Sequence, residues 1–275
     1  KNFVVRPGTG GLGRALIAAL SFHVNVLEAR RGYLPANWDI LWSLSVEEMF
    51  YLFFPLVCRV LGRGRWLVAF LALFVALGPF GRTVLAQGNA VWREYSYLGG
   101  MDAIALGCLT ALLVSRKQFF GRTLRVIGGA GAAILIFSLC FSLQARSWGL
   151  ERNGLDMTIL AMGTCMAIVA SSETRWRSPR ALAPLLRLGQ CSYEVYLTHM
   201  FVVFMLFEIF LDFGKPMAGV PVLFVTAILT AGVAGDAVAR FYSERMNRLL
   251  RHRSGVRRIE PALTVSDLRT GETPM

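Results

Sequence analysis

The segment WSLSVEEMFY, residues 42–51, places two adjacent carboxylates, Glu47 and Glu48, inside an apolar run that continues as LFFPLVCRVL. A second run, LGQCSYEVYLTHMFVV, carries His199 eleven residues beyond Leu188, about 16 Å along a helix. Glutamate and histidine are side chains that take and return protons at a reacting hydroxyl. On a helix Ser43, Glu47, Tyr51 and Phe54 share one face, with Glu48 turned roughly 100° away. Ser192, Tyr196 and His199 form a comparable polar stripe at i, i+4 and i+7. Glu47 and His199 are therefore the catalytic candidates. Trp42, Ser43, Tyr51, Ser192, Tyr196 and Asp102, which follows YLGGM in another apolar run, are the candidates for substrate contact. The same residues also suit a structural reading, a buried carboxylate pinning helices or a histidine satisfied by its neighbours.

What must position these groups is a set of membrane helices. The chain of 275 residues is 55% hydrophobic and 17% charged, with mean hydropathy +0.52. That leaves too little polar surface to cover a soluble domain. Apolar runs of membrane length or slightly less lie near 12–27, 41–61, 66–80, 95–114, 124–143, 154–171, 189–210 and 217–239. The expected fold is all-α, a polytopic bundle of about eight transmembrane helices. Residues 1–11 are an N-terminal lead-in, 12–240 the membrane domain, 241–259 a basic cytoplasmic helix and 260–275 a disordered tail. In 124–143, Gly128, Gly129, Ala132 and Ala133 permit close helix contact.

The net charge of +12 does not indicate nucleic acid, because the cations fall in short loops between apolar runs. Loops with Arg59, Arg63 and Arg65, with Arg116, Lys117, Arg122 and Arg125, and with Arg175, Arg177, Arg180 and Arg187 are basic. The intervening loops are balanced, except that Arg82, Arg93 and Glu94 leave the 81–94 loop slightly positive. That alternation puts the basic loops and both termini on the cytoplasmic side of a bacterial-type plasma membrane. The basic 241–259 stretch then lies along the anionic inner face. Five cysteines without a CxxC pair give neither a metal site nor a disulfide framework. GTGGLG at 8–13 imitates a dinucleotide-binding loop, but no further βαβ unit follows it.

WSLSVEEMFYLFFPL resembles the signature of the acyltransferase 3 family, membrane enzymes that O-acylate sugars and other cell-surface acceptors. The match runs through Trp42, Ser43, Leu44, Glu47, Phe50, Tyr51 and Pro55. LSFHVNV resembles the family's helix ending at an Asn, here Asn25. LGQCSYEVYLTHMFV resembles its late element through Leu188, Gly189, Ser192, Tyr193, Tyr196, Leu197 and His199. YSERM resembles its closing E-x-P, with Glu244 kept and Met246 in place of Pro. The resemblance implies an acyl-CoA donor, acetyl-CoA foremost, reached from the cytoplasm, no bound cofactor, and a carbohydrate or glycolipid acceptor hydroxyl. It also implies a base, a His eleven positions after an Arg in the first membrane helix. In this chain Leu12, Leu188 and Phe241 precede the three histidines at that distance, so two further helices are expected ahead of Lys1. Asp102 likewise lacks the arginine that the family tends to carry just before it; Gly100 and Met101 stand there. The rival readings are a proton-coupled secondary transporter, which would use intramembrane Glu and His but should show repeated halves, and a catalytically inactive fragment of the acyltransferase.

Overall fold

The computed structural model describes residues 11–34, 38–62, 64–86, 88–116, 121–172, 180–214 and 217–254. Those residues form helices and turns, with no strand among them. The glycine run at 8–10, the tail 260–275, and the loop charges at Arg63, Lys117, Arg175, Arg177 and Lys215 lie outside the described residues. Two compact units divide the chain, Lys1–Trp176 and Arg177–Met275, within the stretch read as one membrane domain.

The first unit holds α1 (Gly11–Leu20), α2 (Val24–Arg31), α3 (Leu41–Leu61), α4 (Arg65–Thr83), α5 (Ala90–Tyr95), α6 (Tyr97–Arg116), α7 (Arg122–Cys140), α8 (Ser142–Ser147) and α9 (Asp156–Ser172). The second holds α10 (Ala183–Gln190), α11 (Ser192–Asp212), α12 (Val220–Val238), a π-helical turn Ala239–Ser243, and α13 (Glu244–Ser254). Among the described residues, five stretches are long and apolar enough to cross a membrane: Arg65–Thr83, Ala90–Arg116, Arg122–Cys140, Ser192–Asp212 and Met217–Leu250. Side chains such as Leu73, Leu139 and Ile228 stay exposed on such helices, as a lipid-facing surface requires. The molecule is an integral membrane protein.

Eight spans are not reached by this measure. α3, with 21 residues, and α9, with 17, are helices where apolar runs were read. The first run is not one helix. It breaks after Leu20, where Phe22 takes φ 55, and resumes as the short α2. A positive φ on a non-glycine residue cannot continue a right-handed helix.

Helix packing depends on small residues at particular places. α4 lies along α6, α7 along α9, and α6 against α9; in the second unit α11 lies along α12. Of the small residues read in α7, Gly128 meets Ala170, while Gly129 faces open space. The closest approach belongs to Gly131 instead: a Cβ there would come within 3.0 Å of the Gly163 carbonyl on α9. Gly78 of α4 is tighter still, since its Cβ would stand 2.5 Å from Asp102 on α6.

Candidate active site

Helices α3, α6 and α9 line an open cavity of about 500 Å³. Trp42, Ser43, Val46 and Glu47 line it from α3, Gly99 to Gly107 in part from α6, and Met157 to Ile168 in part from α9. Its wall is mainly apolar, with Glu47, Glu94 and Asp102 as carboxylates and Thr164 and Ser43 as hydroxyls. Glu47 is half-buried there. The α3 periodicity explains the placement, because Ser43 and Glu47 are one turn apart on the same face. Glu48 and Tyr51 do not line the cavity, and Tyr51 is exposed.

Trp42 is held from behind. Tyr95 of α5 stacks on it with ring centroids 4.3 Å apart and planes 3° from parallel. Ser45, the next hydroxyl of α3, is buried: it donates to the Leu41 carbonyl at 3.0 Å and accepts the Val24 N–H at 3.3 Å. It ties α3 to α2. Asn25, the Asn of the FHVN element, donates from its side-chain amide to the Tyr95 carbonyl at 3.1 Å and so links α2 to α5.

Asp102 is at the cavity wall but is committed to an internal pair. Its Oδ2 lies 2.7 Å from the Arg82 guanidinium, its Oδ1 takes a second Arg82 N–H at 3.1 Å and the Ala103 N–H at 2.9 Å, and Thr158 donates to it as well. Arg82 also donates to the carbonyls of Gly154, at 2.9 Å, and of Gly99. Both members of the pair are almost wholly buried. Gly154 can come this close because it has φ 64 and no side chain; a Cβ would meet the Pro79 carbonyl at 2.9 Å. Asp102 is thus paired with an arginine from α4. Arg82 had been counted as a loop charge; in the structure it sits in the last turn of α4 and points inward. Removing it leaves Arg93 against Glu94 in the 81–94 loop.

His199, Ser192 and Tyr196 belong to the second unit, on α11. The His199 ring nitrogen Nδ1 is 2.6 Å from the Tyr196 carbonyl, and the two rings lie 5.5 Å apart. Ser192 starts the helix. Near them Arg187 of α10 bonds Asp236 of α12 at 2.6 Å and Glu244 at 2.9 Å, while Arg240 bonds Asp236 at 2.7 Å. Glu244, retained from the closing element, therefore anchors α13 to α10. Gly235 lets α12 approach α11: a Cβ there would come within 2.7 Å of the Val195 backbone.

The residues that carry the expected chemistry thus divide in two. Trp42, Ser43, Glu47 and Asp102 meet at one cavity of the first unit; Ser192, Tyr196 and His199 share a helix of the second. No group of three or more His, Cys, Asp or Glu that could hold a metal occurs among the described residues.

The profile of the Acyl_transf_3 family, an acyltransferase domain, matches residues 15–235 of the chain. The chain is 26% identical over 216 residues to the O-acetyltransferase OatA of Staphylococcus aureus, covering 73% of this chain and 34% of that protein. It is 29% identical over 226 residues to the putative membrane-bound transacylase BcsY of Komagataeibacter xylinus, covering 77% of this chain and 54% of the relative. The chain thus spans about a third of OatA and about half of BcsY. No solved structure matches it significantly.

Proposed function

Because the chain belongs to the acyltransferase 3 domain family, we propose that it is a membrane O-acyltransferase. It moves an acyl group, acetyl foremost, from acyl-CoA to a hydroxyl of a carbohydrate or glycolipid acceptor. The names of both relatives, an O-acetyltransferase and a transacylase, support this class of reaction. In this reading the basic loops and both termini face the cytoplasm of a bacterial-type cell, where the donor is found, and the acceptor waits at the outer face.

The observation that carries the reading is the α3–α6–α9 cavity, with a half-buried carboxylate and a stacked indole on one apolar wall. A sugar presents C–H faces to an indole and hydroxyls to a carboxylate. Glu47 accepts the proton of the acceptor hydroxyl as its oxygen attacks the thioester carbonyl. The new C–O bond forms, the C–S bond breaks, and the proton ends on the departing CoA thiol. His199 is the second proton-handling group, on the α11 stripe with Ser192 and Tyr196. Positioned proton transfer of this kind contributes about 10²–10⁴-fold.

In a full-length background, Glu47→Gln and His199→Ala should each lower transfer of labelled acetyl groups to membrane glycans by about that factor, with protein still accumulating in the membrane. Glu48→Gln should be milder, since Glu48 lies outside the cavity lining. Wild-type transfer in either main variant removes that residue from the site, and loss of the protein assigns it to the fold.

A further inference from the structure

Among the described residues of the first unit, two buried carboxyl oxygens, Glu28 Oε2 and Asp39 Oδ1, have no hydrogen-bond partner. Glu28 is fully buried, and its other oxygen accepts the Leu34 N–H at 3.1 Å. Asp39 stands within hydrogen-bonding reach of Glu28, and its Oδ2 faces the Tyr95 hydroxyl at 3.5 Å, the long end of such a bond. A buried acceptor without a donor is costly, and two carboxylates in contact cannot both be charged without large repulsion. One proton between the orphaned oxygens satisfies both. Around the pair Tyr33 follows α2, and Glu94 and Tyr95 come from α5; none of these carries a positive charge. Burial first, and the Asp39 charge second, push the Glu28 carboxyl up to about 9; burial also raises Asp39.

Tyr95 touches Asp39 with its hydroxyl and lies flat on Trp42 with its ring, and Trp42 lines the cavity. We propose that Glu28 and Asp39 share one proton and that the pair, acting through Tyr95, sets the plane of Trp42 at the cavity wall. Glu28 is a positioning residue, touching neither donor nor acceptor. Its consequence for acceptor binding rests on the cavity being the acceptor site. The shared proton and the ring plane do not, so they are measured without an activity assay.

The folded chain keeps a proton on Glu28 that the unfolded chain releases near pH 4.5. Between there and about 9 the folded state binds more protons, so stability falls as pH rises. Each pH unit should cost up to about tenfold in the folded-to-unfolded ratio, and the loss should level off above that range. Thermal unfolding of the purified chain in detergent from pH 5 to 10 reads this slope. Glu28→Gln, whose amide donates to Asp39 and does not ionise, should be flat by comparison. Asp39→Asn is the second variant and should reduce the slope, because its amide donates to the Glu28 carboxylate and lets it ionise earlier. The near-ultraviolet circular dichroism of the Trp42–Tyr95 pair, isolated by subtracting Trp42→Phe spectra at each pH, should weaken from pH 6 to 10 in the wild type. It should persist in Glu28→Gln. Equal slopes in wild type and both variants overturn the shared proton. A slope that a millimolar divalent cation abolishes and a chelator restores also overturns it, by putting a cation in its place. A pH-independent pair signal overturns the link to Trp42.

Discussion

Asp102 and Glu28 are both wholly buried carboxyl groups of the first unit, and their surroundings could hardly differ more. Asp102 has a guanidinium, a hydroxyl and a backbone N–H directed at its oxygens. Glu28 has one backbone N–H and an acidic neighbour, with an oxygen left over. A charge in a low-dielectric interior persists only with a countercharge and donors; without them the group keeps its proton. Depth of burial is the same for the two residues. The partners decide that one is a fixed ion pair and the other a proton-binding group.

The largest expected effect comes from breaking the ion pair. Arg82→Ala leaves Asp102 buried and uncompensated, and Asp102→Asn does the same to Arg82, each at a cost of about 3–5 kcal/mol. Reduced accumulation in the membrane and a lower unfolding temperature measure it. The double variant Arg82→Met, Asp102→Asn should recover part of the loss, which would show that unpaired charge rather than lost packing is responsible. A double variant as unstable as the singles added together would argue for packing.

Next in size is Gly78→Ala. The added methyl would stand 2.5 Å from Asp102 Cβ, so α4 and α6 must separate, costing about 1–3 kcal/mol. It also shifts the guanidinium from its carbonyl partners. The same substitution at Gly129, which faces nothing within 4 Å, should be near neutral or slightly stabilising in the same unfolding measurement.

The smallest effect belongs to the second unit's network. The Arg187 and Glu244 side chains are about a third and a half exposed, so Glu244→Gln should cost only about 0–1 kcal/mol. Added salt should shrink it further. A loss as large as that from Arg82→Ala would mean that α13 is held as tightly as the buried pair of the first unit.

The sequence was a good guide wherever the cause is local. Seven of the eight apolar runs are helices close to their expected limits, because hydropathy and helix period are properties of neighbouring residues. The Ser43–Glu47 face was legible for the same reason, and the cavity receives both residues. The first run misled because Ser21 and His23 are too brief a polar interruption to mark a break, whereas the Phe22 backbone angle makes one. The glycine of closest contact in α7 was missed by two or three positions, since only the rotation of α9 against α7 selects Gly131.

From the sequence alone came the membrane class, the helix positions, the acyltransferase 3 signature and the suspicion attached to Glu47, all carried by composition and short spacings. Tertiary structure alone decided which charges are neutralised. Arg82 and Asp102 are 20 positions apart, Glu28 and Asp39 are 11, and Tyr95 is 53 beyond Trp42. The Arg82–Asp102 and Trp42–Tyr95 pairings exist because separate helices pack side by side, and Glu28 meets Asp39 because the chain turns back between α2 and α3. In an interior of low dielectric, contact across that packing determines whether a carboxyl is an ion, an acid or a base.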